Sequence, residues 1–214
     1  MVLKIPKYGQ HVTFLGSTGS GKSFLAEQML NSIGSYFVFD TQNSLDLQGA
    51  ETATTPSQAV KMLKKGVKKI QYIPSIQYQD RDINGYILSK LCDSSSKKNK
   101  HSRVIYIDEI FHLGYMRSFP PELPIALATC RQKGISIWIS TQRPRLIPTN
   151  VISESSFIYM FFCTKKDDIK YIGENVRENE DFLKTALNLK KDEHKFIFID
   201  NTTGEYFLYE KLKV

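Results

Sequence analysis

Residues 16–23, Gly16-Ser17-Thr18-Gly19-Ser20-Gly21-Lys22-Ser23, fit the pattern G-x-x-x-x-G-K-[ST] at every fixed position. The composition has a physical reason. Backbone N–H groups must turn inward around an anion, and glycine reaches the dihedrals this demands without a Cβ clash. A helix opening directly after the loop points its positive end at the same anion. Both flanks agree: HVTFL (11–15) reads as a strand, and KSFLAEQML opens an amphipathic helix over 22–33. The eight residues are therefore expected to cradle the phosphates of ATP. Lys22 would reach the β- and γ-phosphates, and the Ser23 hydroxyl would ligate Mg²⁺.

A second stretch, RVIYIDE (103–109), is an apolar run ending in two acids. A strand of this composition is buried on both faces, and its end delivers Asp108 to the carboxyl edge of a parallel sheet, near the loop. Asp108 is expected to hold Mg²⁺, directly or through water. Glu109 is expected to act as the base that polarises an attacking water. A small-molecule kinase has no work for a carboxylate beside its metal aspartate, so hydrolysis is favoured. Third, ISIWISTQRP (135–144) opens with a strand expected over 135–139, and the polar end that follows it carries Gln142. If that strand neighbours RVIYI, Gln142 sits beside the loop, where its amide can bond both the γ-phosphate and the water. The plainer reading is a polar strand end stopped by Pro144.

Further strands are expected at 36–40, 70–73, 157–163, 195–199 and 205–209, and further helices at 57–65, 83–92, 121–132, 166–173 and 179–187. Residues 93–102 (DSSSKKNKHS) read as a loop, and Asn201 to Gly204 as a hairpin turn. Strands alternating with helices give an α/β fold with a mostly parallel central sheet flanked by helices and antiparallel strands at the C-terminal end. No repeat or linker interrupts the pattern, so residues 1–214 are read as one domain. The net charge of +7 suits a polyanionic partner. Cys92, Cys130 and Cys163 match no zinc or disulfide spacing and are read as reduced thiols. No apolar run approaches the ~20 residues of a membrane helix, so direct membrane insertion is not expected.

GSTGSGKS, YFVFD with an acid ending the second strand, RVIYIDE and STQRP, in that order, resemble the HerA/FtsK superfamily of DNA-pumping ATPases. The chain is most similar to the genome-packaging ATPases of tailless icosahedral viruses with an internal membrane, including the turreted viruses of archaea. The resemblance implies a RecA-like P-loop NTPase of the additional-strand, catalytic-glutamate type. It implies a motor that packages a viral double-stranded DNA genome into a preformed capsid, located in the host cytoplasm and, as a second place, the virion. By the same resemblance the active form is a ring, expected as a hexamer, with Gln142 as polar sensor and a neighbour's arginine completing each ATP site. Arg131 is the leading candidate for that arginine, with Arg143 and Arg145 as rivals. Larger members carry a membrane span, a winged-helix tail or an N-terminal barrel; none of these is expected in this chain. A bare motor of this kind would rely on a capsid or membrane-protein partner for docking.

Two basic clusters are candidates for sequence-independent contact with DNA phosphates: Lys64, Lys65, Lys68 and Lys69, and then Lys97, Lys98, Lys100 and Arg103. Solvated surface is the plainer reading of both. Residues 111–120 (FHLGYMRSFP) follow Glu109 and carry His112 and Arg117, a segment suited to relaying nucleotide state. The four histidines, His11, His101, His112 and His194, are too scattered for a metal site. Three other functions stay open. An AAA+-type remodeller or helicase loader would need a helical lid where this chain ends in strands. A nucleoside or nucleotide kinase leaves Glu109 and Gln142 idle. A non-hydrolysing nucleotide-gated switch would not need Lys22, Asp108 and Glu109 intact.

Overall fold

Strands β1 (Val12–Leu15), β2 (Tyr36–Phe39), β5 (Arg103–Ile107) and β6 (Ile135–Thr141) are buried at every position, which only the middle of a sheet covered on both sides allows. The computed structural model describes residues 5–93, 102–114, 118–176 and 180–210. Among these, β3 (Glu51–Ala53), β4 (Lys69–Tyr72), β7 (Phe157–Met160), β8 (Phe196–Asp200) and β9 (Glu205–Tyr209) complete one sheet of order β3-β4-β2-β5-β6-β1-β7-β8-β9. Pairing is parallel from β3 to β7 and antiparallel for β7–β8 and β8–β9.

The two-residue alternation of side chains sorts the core into two layers. On one face Phe37, Phe39, Ile105, Ile107, Ile137 and Ile139 pack beneath helices α2 (Pro56–Lys65), α3 (Arg81–Asp93), α4 (Glu122–Thr129), α5 (Thr149–Glu154), α6 (Lys166–Val176) and α7 (Glu180–Leu187). The other face is covered by α1 (Lys22–Asn31) and by Leu45 and Leu47. Large aromatics fill that side: Phe14 stacks on Tyr159 at 5.2 Å and meets Tyr106 and Trp138 edge-on. Aromatic rings carry more buried area per residue than aliphatic side chains, so one helix suffices as cover.

His11 closes the lower end of β1. Its Nδ1 accepts from the Ile137 amide at 2.9 Å, which leaves Nε2 to donate to the Leu127 carbonyl at 2.9 Å. Burial holds its pKa down at about 4, against the raising effect of the Leu127 bond. The imidazole is therefore neutral, and it ties β1, β6 and α4 together.

Several boundaries differ from expectation. Strand β6 runs on to Thr141, past Ile139, because parallel pairing with β1 continues to the Leu15–Thr141 register. The strand expected over 157–163 ends at Met160, where the chain leaves to brace the phosphate loop. The helix expected to reach residue 132 stops at Thr129 and tightens into a 3-10 turn over Arg131–Lys133. Strand β3 and helix α5 had no forecast: β3 is a three-residue edge strand with Glu51 and Thr52 exposed, and α5 has six residues. Most of the 93–102 loop lies outside the described residues. No described helix is long and apolar enough to cross a membrane.

Candidate functional site

The site forms where parallel strands end. Because β6 lies between β1 and β5, the ends of these three strands bring Gly16, Asp108 and Gln142 to one edge. The loop after β1 is held on both sides. Gly16 N–H donates to the Thr141 carbonyl at 3.2 Å, and Ser17 N–H to the Phe162 carbonyl at 2.8 Å. The Ser17 hydroxyl also accepts from Thr164 N–H at 2.9 Å. Glycine is required twice. Gly16 has φ +147°, and a Cβ there would lie 2.8 Å from the Phe161 Cβ; Gly21 has φ +110° as the residue preceding α1.

Lys22 is buried, and its Nζ donates back to the Ser17 carbonyl at 3.1 Å. Burial lowers its pKa, opposed by the charges of Glu109 and Asp108. Ser23 Oγ donates to Asp108 Oδ1 at 3.4 Å. Tyr106 OH donates to the same oxygen at 2.9 Å, and Ser44 Oγ to Oδ2 at 2.8 Å. The Tyr106 phenol is held well above its usual range by burial and by Asp108, so it stays a donor.

Glu109 is the strained residue of the site, with φ 63° and ψ 97°. A non-glycine residue there costs of order 1–3 kcal/mol, a strain that clusters at functional sites. Its Oε2 accepts from Gln142 N–H at 3.0 Å, while Oε1 is buried without a partner among the described residues. Burial raises its pKa, partly offset by the Gln142 N–H. The Gln142 side-chain oxygen in turn accepts from Thr18 Oγ1 at 2.6 Å. Gln142 therefore links the phosphate loop to Glu109 through two different atoms.

These residues suit a nucleotide triphosphate and its metal. The glycine cradle has no room for a Cβ at Gly16. Among the described residues Ser20 Oγ is buried with no partner, and the buried Lys22 cation bonds its own loop. Ser23 and Asp108 together offer the hard oxygens that Mg²⁺ prefers.

Some participants carry no sequence signal. His194, with φ 52°, places Nδ1 3.3 Å from the Ser20 carbonyl oxygen and lines the same cleft. Lys191 lies against Gly19, its Cε 3.2 Å from where a Cβ would stand. Both sit on the turn before β8, more than 170 positions from the loop they cover. Asp40, singled out as an acid ending β2, does not face the cleft. It folds the 41–47 segment by accepting from Ser44 N–H, Leu45 N–H and Gln71 Nε2, and so presents Ser44 to Asp108.

The arginine candidates separate. Arg131 precedes β6, at the sheet edge opposite the phosphate loop, and pairs with both the carboxylate and the carbonyl of Glu154. Arg143 and Arg145 follow β6 at the loop edge and pair with Asp168 and Asp167 at 3.5 and 3.2 Å. Lys64, Lys65 and Lys68 are exposed between α2 and β4, again at the far edge, with Lys69 half-buried. Arg103 is buried and so does not extend an exposed patch; Lys97, Lys98, Lys100 and His101 lie outside the described residues. His112 Nδ1 meets Thr41 Oγ1 at 2.5 Å, and Asn84 donates to the His112 and Leu113 carbonyls, which pins the start of the 111–120 segment. Its residues 115–117, including Arg117, also lie outside the described residues.

No protein-family model and no curated protein matches this sequence. Solved structures do match the fold. The genome packaging NTPase B204 from Sulfolobus turreted icosahedral virus 2, in complex with AMPPCP, aligns with TM-score 0.75 at 20% identity, over 96% of this chain and 98% of that one. B204, the DNA-packaging ATPase from Sulfolobus turreted icosahedral virus, aligns with TM-score 0.75 at 19% identity, over 97% and 100%. VirB4 of Thermoanaerobacter pseudethanolicus aligns with TM-score 0.66 at 10% identity, over 95% and 90%. The chain has a P-loop NTPase fold, its sheet mostly parallel with antiparallel C-terminal strands.

Proposed function

We propose that this chain is an ATP-hydrolysing DNA translocase that packages a viral double-stranded DNA genome into a preformed capsid. The observation that carries the hydrolytic part is the Gln142 link: one residue bonds the phosphate loop at Thr18 and the strained Glu109. A phosphotransferase or a passive binder has no use for a raised-pKa carboxylate wired to that loop.

In this reading Gly16, Ser17, Thr18, Gly19, Ser20 and Gly21 cradle the phosphates, and Lys22 exchanges its bond to Ser17 for the β- and γ-phosphates. Ser23 and Asp108 hold Mg²⁺, which when bound neutralises charge on the phosphate oxygens. Glu109 takes a proton from water as its oxygen bonds the γ-phosphorus and the bond to the bridging oxygen breaks, leaving ADP and phosphate. Burial makes Glu109 a stronger base than an ordinary carboxylate. Gln142 senses the γ-phosphate and moves Glu109 with it.

Residues 1–214 work as one ATPase domain within a hexameric ring. Arg131, on the edge away from its own nucleotide, acts on a neighbour's. Basic residues grip the DNA backbone without reading sequence, and the similarity in fold to two packaging NTPases supports the choice of cargo. The motor works in the host cytoplasm or virion and docks on a capsid or membrane protein.

The test is steady-state ATP hydrolysis by wild type and Glu109→Gln, with and without double-stranded DNA. DNA should raise the wild-type rate, and Glu109→Gln should lower it by about 10²–10⁴-fold while nucleotide still binds. Mixing Glu109→Gln subunits with Arg131→Ala subunits should restore activity at boundaries that join one intact residue from each. Binding without turnover under every condition would overturn the motor in favour of a nucleotide-gated switch.

A further inference from the structure

Cys92 and Cys130 are 38 positions apart in sequence and show no pairing signature there, yet their Sγ atoms lie 2.9 Å apart. Cys92 stands in the last turn of α3 and Cys130 caps the C-terminal end of α4, two helices packed side by side over the same face of the sheet. Cys130 is buried and Cys92 is half-buried, so Cys92 is the more accessible residue of the two. Lys133 donates to the Cys92 carbonyl at 3.1 Å. The contact between the two sulfurs lowers the Cys130 thiol's pKa, helped by the Lys133 charge, and the same contact with burial raises that of Cys92. A disulfide bond is about 2.05 Å long, so closing it requires the sulfurs to approach by under about 1 Å. Cys163 is unlike the pair: it is buried, its Sγ points at the Phe161 carbonyl oxygen at 3.6 Å, and burial pushes its thiol up to about 12.

We propose that Cys92 and Cys130 are a redox pair that closes reversibly to an intramolecular disulfide, with a small-molecule disulfide such as oxidised glutathione as the oxidant. Cys92, the more accessible of the two, attacks one sulfur of the oxidant as its proton leaves, and expels a thiolate. The Cys130 thiolate then attacks the Cys92 sulfur of the mixed disulfide and expels the second. Two protein thiols lose two protons and two electrons, and one small disulfide becomes two thiols. The bond closes a ring running from α3 through β5, Asp108 and Glu109 to the end of α4. Oxidation thus staples the helical layer above the strand that carries both acids, and it does so whatever the nucleotide chemistry turns out to be.

The whole protein is incubated with oxidised or reduced glutathione, quenched in acid, unfolded and alkylated with iodoacetamide, and its intact mass is measured. The reduced form should take three adducts, one per cysteine. The oxidised form should take one, on Cys163, with no glutathione retained, and its melting temperature should rise by about 10 °C. In Cys130→Ser, Cys92 should instead keep glutathione and the rise should disappear. Three adducts after oxidation, a stable glutathione adduct on wild-type Cys92, or a bridge through Cys163 would each overturn the pair. The wild-type masses decide the question even if the serine variant does not fold.

Discussion

His11 and the phosphate-loop site, at opposite edges of the central sheet, treat polar groups in opposite ways. At the lower edge His11 has both ring nitrogens bonded inside the protein, to Ile137 and Leu127. At the upper edge Ser20 Oγ and Glu109 Oε1 are buried without partners among the described residues, Lys22 bonds its own loop, and Glu109 sits in a strained backbone conformation. Buried polar atoms without partners cost roughly 1–3 kcal/mol each. A fold keeps such costs where a ligand later removes them. Arg103, at the lower edge, also has Nε and Nη1 without partners among the described residues; it adjoins residues 94–101, which lie outside them.

If the contrast holds, the sharpest break comes from Lys22→Ala. Hydrolysis should fall by about 10³-fold, while the melting temperature without nucleotide stays the same or rises, because a buried cation has been removed. The rise in melting temperature that nucleotide gives the wild type should vanish. A variant that melts well below wild type without nucleotide would mean that this edge serves the fold after all.

His11 should behave in the reverse sense. Its folded pKa of about 4 lies below the usual 6.5, so the unfolded chain takes up the proton first as pH falls. The stabilisation is complete above about pH 6.5, is lost between there and about pH 4, and amounts to roughly 3 kcal/mol. Urea unfolding of wild type and His11→Ala between pH 4 and 8 should show this slope in the wild type only. At neutral pH the variant should keep its nucleotide affinity to the extent that it folds.

The smallest effect should come from Lys191→Ala. Lys191 is exposed, so its attraction for phosphates is screened by salt. The variant should raise the KM for ATP about threefold at low salt, leave kcat unchanged, and lose the difference at high salt. A change in kcat would put Lys191 in the chemistry.

The sequence made the upper edge legible because its main residues lie in short contiguous strings. GSTGSGKS, RVIYIDE and STQRP each carry their own strand end, so the loop, the acids and Gln142 could be named before their positions were known. Contacts set by the order of strands were not legible. That β6 separates β1 from β5 decides that Gln142 reaches both Thr18 and Glu109. No spacing announces that His194 and Lys191 return over the loop, or that Cys92 meets Cys130. Strand β3 and helix α5 were too short to show a period. Arg103 read as a loop cation because charge pattern alone does not report burial.

The place of β1 has a consequence for synthesis. Both of its neighbours come much later in the chain: β6 begins at Ile135 and β7 at Phe157. A ribosome therefore exposes an apolar strand and its glycine loop long before either partner emerges, and pairing over such separations is slow. Ser17 finds its Phe162 and Thr164 partners only after about three-quarters of the chain has been made. The growing polypeptide should thus be unable to trap nucleotide until Phe162 and Thr164 have emerged to brace the loop.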